Sequence, residues 1–441
     1  MLCILWINLS AEENQLPIRF TLKEAQAYAI SHSTETENAR IDILMAKKKT
    51  WETTAIGLPQ VSGKVSYTNM LKIPTTLIPA KFFDSEAGDD EFIDVKFGTQ
   101  HNASAELTVS QLIFNGSYIV GLQAAKVYQQ LSKNQLLKRE IDIKSTVADT
   151  YYLILMAQSN QKILETTLQN LRQNLTEIEE MYKAGFVEES DTDQIRLSLT
   201  DLESLLSSTR RQTDMAYRML KFQIGLDLDR EIQLSETLEQ ILSQLEAPVR
   251  YQETVDLSSH IDFRIMETQE QSMALLLKKE KSEFLPTLTA FLSYSQSAMR
   301  DQFNFFSKGE RWFPSSVLGF NMSIPIFSSG QRLARVAQAN LELQKARNLK
   351  EQVSDGLKLA LEQARSEYTD AFDRAQSTLD SVTLAKRIYD NSRIKFNKGL
   401  LDTMTLTQVH NQYLDAESKR TQAIVALLSA KNKLDKAMNR L

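Results

Sequence analysis

The sequence predicts a mainly α-helical chain with a β-barrel portion, laid out as two copies of one pattern. Three observations predict it. Long stretches lack both glycine and proline, the chain repeats itself at two places, and four short segments alternate apolar with polar residues. The first marks long helices, the second a duplication and the third strands.

Composition sets the outer bounds. With 42% hydrophobic and 24% charged residues over 441 positions, the chain is long and apolar enough to fold into ordinary domains. Its net charge of -5 comes from interspersed acids and bases, without the clustered Lys and Arg that phosphate neutralisation needs, so nucleic acid is excluded as a partner. At the start, Met1 to Leu9 is apolar and uncharged but too short to cross a bilayer core of about 30 Å. It reads as the remnant of a secretory signal covering residues 1–11, cleaved near Ala11. Cys3, the single cysteine, falls inside it. No run of 18 apolar residues occurs, so any membrane crossing must be made by strands.

The helices come next. Between Gly121 and Gly185 there is neither Gly nor Pro, and one helix over that stretch would measure roughly 95 Å. Leu164, Leu168, Leu171, Leu175 and Ile178 step by four and three, the spacing of a coiled-coil seam. Ile195, Leu199, Leu202 and Leu206 continue it on the following segment, and Leu406, Val409, Tyr413 and Ala416 repeat it later. Beyond Pro325 only Gly330, Gly356 and Gly399 interrupt helical composition.

The duplication organises the rest. Tyr182 to Ser204 aligns with Phe396 to Ser418, matching Gly185 to Gly399, Gln194 to Gln408 and Asp201 to Asp415. Leu58 to Thr68 (LPQVSGKVSYT) aligns with Leu285 to Ser295 (LPTLTAFLSYS), and shared heptads cannot explain a common Leu-Pro start on a non-helical segment. In this second pair Val61, Val65 and Tyr67, and likewise Leu288, Ala290, Leu292 and Tyr294, recur with period two. Downstream, Ala103, Ala105, Leu107 and Val109 alternate with Ser104, Glu106, Thr108 and Ser110, as Leu318, Phe320, Met322 and Ile324 do with Gly319, Asn321 and Ser323.

The expected layout follows. A first repeat at 12–225 carries strands about 58–68 and 103–113 and a helical hairpin turning at 184–187. A connection covers 226–258. The second repeat at 259–441 carries strands about 286–295 and 317–327 and turns at 398–401. Loops of roughly Asn69 to Asn102 and Gln296 to Ser315, too long for tight turns, join the strands of each pair.

Such strands can form a soluble sheet on a helical core or part of a membrane barrel. The helices have coiled-coil partners of their own, and one strand face is apolar while the other carries Ser, Thr, Lys64 and Glu106, the alternation of an outer-membrane barrel. Four strands cannot close, and an open edge cannot face lipid. Three copies give a barrel of twelve strands, whereas two give eight and an interior that side chains nearly fill. A homotrimer in the lipid bilayer of the outer membrane is therefore expected.

At this point the chain resembles the outer-membrane efflux proteins of the TolC type. The resemblance runs from Phe20 to Leu441. It is carried by the strand-to-helix corner Ile324-Pro325-Ile326-Phe327-Ser328-Ser329-Gly330, its weaker first copy Leu112-Ile113-Phe114-Asn115-Gly116, the Leu-Pro strand starts and the Gly-centred helix turns. Each mark alone is weak, and together they stand in the family's order. The resemblance implies a trimeric 12-stranded barrel continuous with a long antiparallel coiled-coil tunnel in the periplasm. It also implies substrate delivery by a periplasmic adaptor and an inner-membrane pump.

Candidate sites lie at two levels. At the helix turns, Gly185, Phe186, Val187, Gly399, Leu400 and Leu401 would present apolar side chains to the adaptor, or staple their own hairpins. Beside them Glu188, Glu189, Asp191, Asp193 and Asp402 cap helix N-termini, where carboxylates are favoured, and threefold symmetry would also gather them into an acidic entrance ring. At the barrel, Pro325, Phe327, Gly330, Phe114 and Gly116 form the corners. Thr405, Phe396 and Leu401 depart from the family's acidic, tyrosine and arginine positions, leaving Lys183, Arg393 or Lys398 as substitutes in any latch with Asp191. No enzyme motif, cofactor site or metal-ligand spacing occurs, and His32, His101, His260 and His410 are expected at the surface or in caps. The competing expectation is a coiled-coil envelope spacer without a channel. Transported substrate and pump class are not written in the residues.

Overall fold

The computed structural model describes residues 17–83, 85, 86, 88, 90, 92–245 and 256–441. The expected leader at 1–11, with Cys3 and the cleavage position, lies outside them, as do residues 246–255 of the connection between repeats, with Pro248. Among the described residues the elements run β1 (Ile18–Phe20), α1 (Leu22–His32), α2 (Thr34–Ala55), β2 (Gln60–Asn69), β3 (Thr75–Pro79), β4 (Phe92–Lys96), β5 (His101–Phe114), α3 (Gly116–Lys183), α4 (Glu189–Ile224), β6 (Ile232–Leu234), α5 (Leu238–Leu242), α6 (Ile261–Ser282), β7 (Thr287–Arg300), β8 (Phe313–Ser323), α7 (Gln331–Asn397) and α8 (Thr403–Ala437). No helix among them is long and apolar enough to cross a membrane.

Two compact units result, one from the described residues of 1–43, 131–267 and 348–441, the other from those of 44–130 and 268–347. They cut across the repeats, because each repeat gives its strands to one unit and its hairpin to the other.

The strand-bearing unit contains a four-stranded sheet in the order β2-β5-β7-β8, antiparallel throughout. The repeats meet at its centre, where Leu107 of β5 stands opposite Tyr294 of β7. Period-two alternation in every strand then sorts the faces. Val61, Val109, Leu292 and Leu318 form one row across all four strands, and Lys64, Glu106, Ser295 and Ser315 form a row on the opposite face. The apolar face is bare: Val65 is 84% exposed and Phe320 71%. The polar face is knit together by side chains. Glu106 accepts hydrogen bonds from the Ser293 and Thr108 hydroxyls at 2.6 and 3.1 Å, and the hydroxyls of Ser66 and Ser104 lie 2.7 Å apart. β2 and β8 each have one neighbour, so both outer edges keep an unpaired row of backbone groups.

Three details differ from the sequence reading. The first long loop contains a hairpin, β3 with β4, in which Ile78 pairs with Ile93. β7 continues to Arg300, five residues beyond the Ser295 limit of the alternation, because β5 supplies partners as far as His101. β8 stops at Ser323 and not near 327, since Pro325 has no N–H to donate to a ladder.

The helical unit is held by three separate clusters along its hairpins and a smaller one around Ile141, Ile261 and Ile265. The largest gathers Val147, Tyr151, Ile154, Leu220, Ile224 and Leu428 around a two-stranded parallel sheet of β1 with β6. Polar groups in this cluster are satisfied locally. The Tyr151 hydroxyl donates to the Phe20 carbonyl at 3.0 Å, and the Leu22 amide donates to the Glu236 carboxylate at 2.7 Å. Thr21 and Glu24 close a capping box on α1. Buried Asn432 of α8 donates its amide to the Ser145 carbonyl and hydroxyl, both at 3.0 Å, and to Asp149 of α3 at 3.2 Å.

Candidate functional site

The two helix turns have one geometry. At the end of α3, Gly185 takes φ 77, its amide donates to the Tyr182 carbonyl at 2.9 Å and the Phe186 amide donates to Met181 at 2.9 Å. At the end of α7, Gly399 takes φ 70, its amide donates to Phe396 at 2.8 Å and Leu400 donates to Lys395 at 3.0 Å. Both are Schellman motifs, which need a residue at ease in the left-handed region, hence glycine.

The four apolar turn residues split two and two. Val187 and Leu401 turn inward onto the cluster of Ile178, Ile195, Phe396 and Leu406, so they staple the hairpins and do not project from them. Phe186 and Leu400 point out, 78% and 71% exposed. The division is the same in both repeats. Sequence alone could not order the two neighbours, because both are apolar and both follow a left-handed glycine.

Of the five carboxylates beside the turns, four have local roles. Asp402 accepts from the Thr405 amide at 2.8 Å and the Thr405 hydroxyl at 2.7 Å, capping α8, and the amide bond leads in holding its carboxyl below the usual range. Asp191 accepts from the Glu188 amide at 3.1 Å. Asp193 pairs with Arg196 at 3.3 Å, and the same guanidinium reaches Glu179 at 2.9 Å. Glu188, at the N-cap of α4, accepts from the Ser190 hydroxyl at 3.4 Å, and Glu189 is exposed. Lys183, a candidate substitute in a latch, pairs with Glu180 at 2.7 Å.

Above the turns the hairpin interior holds a histidine that sequence reading placed at the surface. His410 is buried, its ring stacked 4.7 Å from that of Tyr389, which in turn stacks on Tyr413. Burial pushes the imidazole pKa down. The signal was available: His410 lies four residues after Leu406 and three before Tyr413, on the seam of α8. His260 is also buried and accepts from the Asp262 amide at 3.2 Å, whereas His32 ends α1 exposed and His101 opens β5. Between α3, α4 and α8 runs a groove of about 460 Å³ whose walls include Leu164, Leu202 and Leu414, with the repeat counterparts Asp201 and Asp415 on its rim.

The corners differ between repeats. After a bulge between Leu112 and Phe114, the first corner is capped by Asn115, which accepts from the Tyr118 amide at 2.8 Å and donates to Thr287 at 3.0 Å. A Cβ on Gly116 would come within 2.8 Å of Leu285, so that corner is tightly covered. In the second, Gly330 takes φ 80 with open space around it, and Ile326 and Phe327 are 92% and 84% exposed. Pro325, between Ile324 and Ile326, marks the place where β8 gives way to this corner.

A sheet with one apolar face, one polar face and unpaired outer edges, joined in one chain to long helical hairpins, has the face pattern of an outer-membrane barrel segment. The model of the outer membrane efflux protein family matches residues 257–440. Solved structures extend the likeness in fold to the first repeat. The outer membrane protein VceC of Vibrio cholerae superposes with a TM-score of 0.72 at 15% identity, over 95% of either chain. The CmeC outer membrane channel of Campylobacter jejuni gives 0.75 at 16%, over 95% of this chain and 85% of its own. The open state of the MtrE channel of Neisseria gonorrhoeae gives 0.73 at 13%, over 95% and 88%. No match was found among curated proteins.

Proposed function

We propose that this chain is an outer-membrane efflux channel that works as a homotrimer, the conduit of a tripartite efflux or type I secretion assembly. Substrate passes down its gradient of access, handed over by an inner-membrane pump through a periplasmic adaptor. The observation that carries the adaptor contact is the pair Phe186 and Leu400. Two large apolar side chains stand in water at equivalent turns, while their neighbours Val187 and Leu401 already supply the staple each hairpin needs.

Gly185 and Gly399 set the direction of that contact, and Pro325, Phe327, Gly330, Phe114 and Gly116 set the turn from strand to helix. Glu188, Glu189, Asp191, Asp193 and Asp402 have two roles in this reading. They cap or pair locally, and three copies of them surround the entrance with negative charge that favours cations. A spacer without a channel would need the hairpins but not a sheet that bares Val65 and Phe320 on one face and hydrogen-bonds Glu106 on the other. Replacing Phe186 and Leu400 together by aspartate should stop export while the trimer still assembles. Undiminished export by that variant would remove the adaptor contact from the turns.

A further inference from the structure

The segment between β7 and β8 folds back over one face of the four-stranded sheet, and the register says which face. Tyr67 of β2, Ala103 of β5 and Ala298 of β7 form one row, and Asn69, His101 and Arg300 form the next. Both rows lie an even number of residues from Val61, Val109 and Leu292, so they continue the apolar face. Phe303 and Phe305 come down onto them. Phe303 meets the Tyr67 and His101 rings edge-on at 5.5 and 6.1 Å, and Phe305 meets Tyr67 at 6.0 Å and Trp312 at 6.1 Å. The Tyr67 hydroxyl lies 2.8 Å from His101 Nδ1, and Ala298 is fully buried.

Arg300 holds the segment in this position. Its guanidinium pairs with Glu310, donates to the Arg311 carbonyl at 3.0 Å and lies 5.7 Å from the centre of the Phe305 ring. The Asn304 side-chain amide also donates to Glu310, at 2.8 Å. Only 10% of the Arg300 side chain is exposed, and a charge so covered needs the partner that the segment brings to it. While Phe305 is buried, Phe303 and Phe306 are 61% and 90% exposed, so the folded segment is a shelf that presents aromatic rings outward.

The height of the shelf identifies what meets it. Leu288 lies at the start of the apolar face of β7, and Ala298 is ten residues further on. At about 3.4 Å per residue and a tilt of about 40°, that stretch rises about 26 Å, against about 25 Å for the apolar band of an outer-membrane barrel. The shelf thus starts where the band ends, at the headgroup level where Tyr and Trp rings collect. It stands at the end of β5 away from α3, hence on the outer leaflet. Beyond the Arg300 and Glu310 pair, the segment carries two exposed cations, Lys308 and Arg311, against one exposed acid, Asp301. That balance suits phosphate headgroups.

We infer that residues 301–312 form a lipid-facing shelf that seats phosphate-bearing lipids of the outer leaflet. Phe303 and Phe306 meet the upper acyl chains, and Lys308 and Arg311 supply charge for the headgroups. This rests on the outer-membrane channel reading and adds to it a contact made by a loop outside the strands.

The test uses the full-length chain with Cys3→Ser, carrying either Phe306→Cys or Leu318→Cys labelled with bimane, in nanodiscs of phosphatidylcholine and phosphatidylglycerol. Leu318, opposite Leu292, marks the middle of the band. Nitroxides are placed on the lipid headgroup or deep in the acyl chain, and iodide serves as the water-borne quencher. The expected result is strongest quenching of the Phe306 label by the headgroup nitroxide and of the Leu318 label by the deep one. Arg300→Leu should release the shelf and remove lipid quenching at Phe306 but not at Leu318. Quenching of the Phe306 label by iodide alone, with Leu318 quenched from within the lipid, would overturn the shelf and leave the channel reading standing. Loss of lipid quenching at both positions would overturn both. Unchanged lipid quenching at Phe306 in Arg300→Leu would overturn the role given to Arg300.

Discussion

Truncating the outward pair at the turns separates docking from folding. Phe186 and Leu400 are 78% and 71% exposed, so changing both to alanine removes little packing from the free channel, within about 0.5 kcal/mol each. Covered by an adaptor, a Phe or Leu side chain contributes roughly 1.5 to 3 kcal/mol. About three quarters of each remains to be covered, so the pair together would contribute on the order of 2 to 4 kcal/mol. At about 1.4 kcal/mol per tenfold, that is a loss of roughly 30- to 1,000-fold in adaptor affinity. The assay is binding of the purified adaptor to channel immobilised in detergent, beside the thermal midpoint of the channel alone. A companion variant, Val187→Ala with Leu401→Ala, should behave oppositely: a lower midpoint from the loosened staple and a smaller change in affinity. Affinity within threefold of wild type for the Phe186 and Leu400 variant, at an unchanged midpoint, would refute the assignment of these two residues.

Two further outcomes follow from buried polar groups. His410 has its pKa lowered in the folded state by burial, so the unfolded chain binds its proton more readily. Stability from this group is intact above the ordinary histidine pKa and falls as pH drops through it, levelling off below the folded value. His410→Phe should flatten the midpoint against pH between about 8 and 5 relative to wild type, and an unchanged slope would show that the folded imidazole takes up its proton as readily as the unfolded one. Asn432→Leu leaves the Ser145 carbonyl and Asp149 without their α8 partner, which costs about 2 to 3 kcal/mol. Urea denaturation of the solubilised channel should show it as a lower midpoint with channel conductance retained.

What the sequence made legible was whatever has a long period. The coiled-coil seam from Leu164 to Ile178 ends in one buried cluster with Ile195 and Leu406, and the alternation in Val61, Val109, Leu292 and Leu318 becomes one row of the sheet. Short elements held by distant partners escaped. β1 and β6 are three residues each and exist because Ile18 meets Ile232 from the connection that follows the first repeat. β3 follows Pro74 and ends in Pro79, and β4 lies between Gly88 and Gly98, in a segment whose composition is that of a loop. Side-chain direction at the turns was also beyond reach, since Phe186 and Val187 differ in the cluster they reach and not in polarity. His410 was the avoidable miss: a titratable residue on a seam position is still on the seam.

Conductance of the purified protein in a planar lipid bilayer, with its native mass measured on the same preparation, tests the central claim most directly. A sheet of four strands with open edges predicts a trimeric mass and discrete single-channel steps, abolished when the trimer is dissociated. A stable monomer, or a trimer that inserts without conducting under any applied potential or adaptor addition, would contradict it.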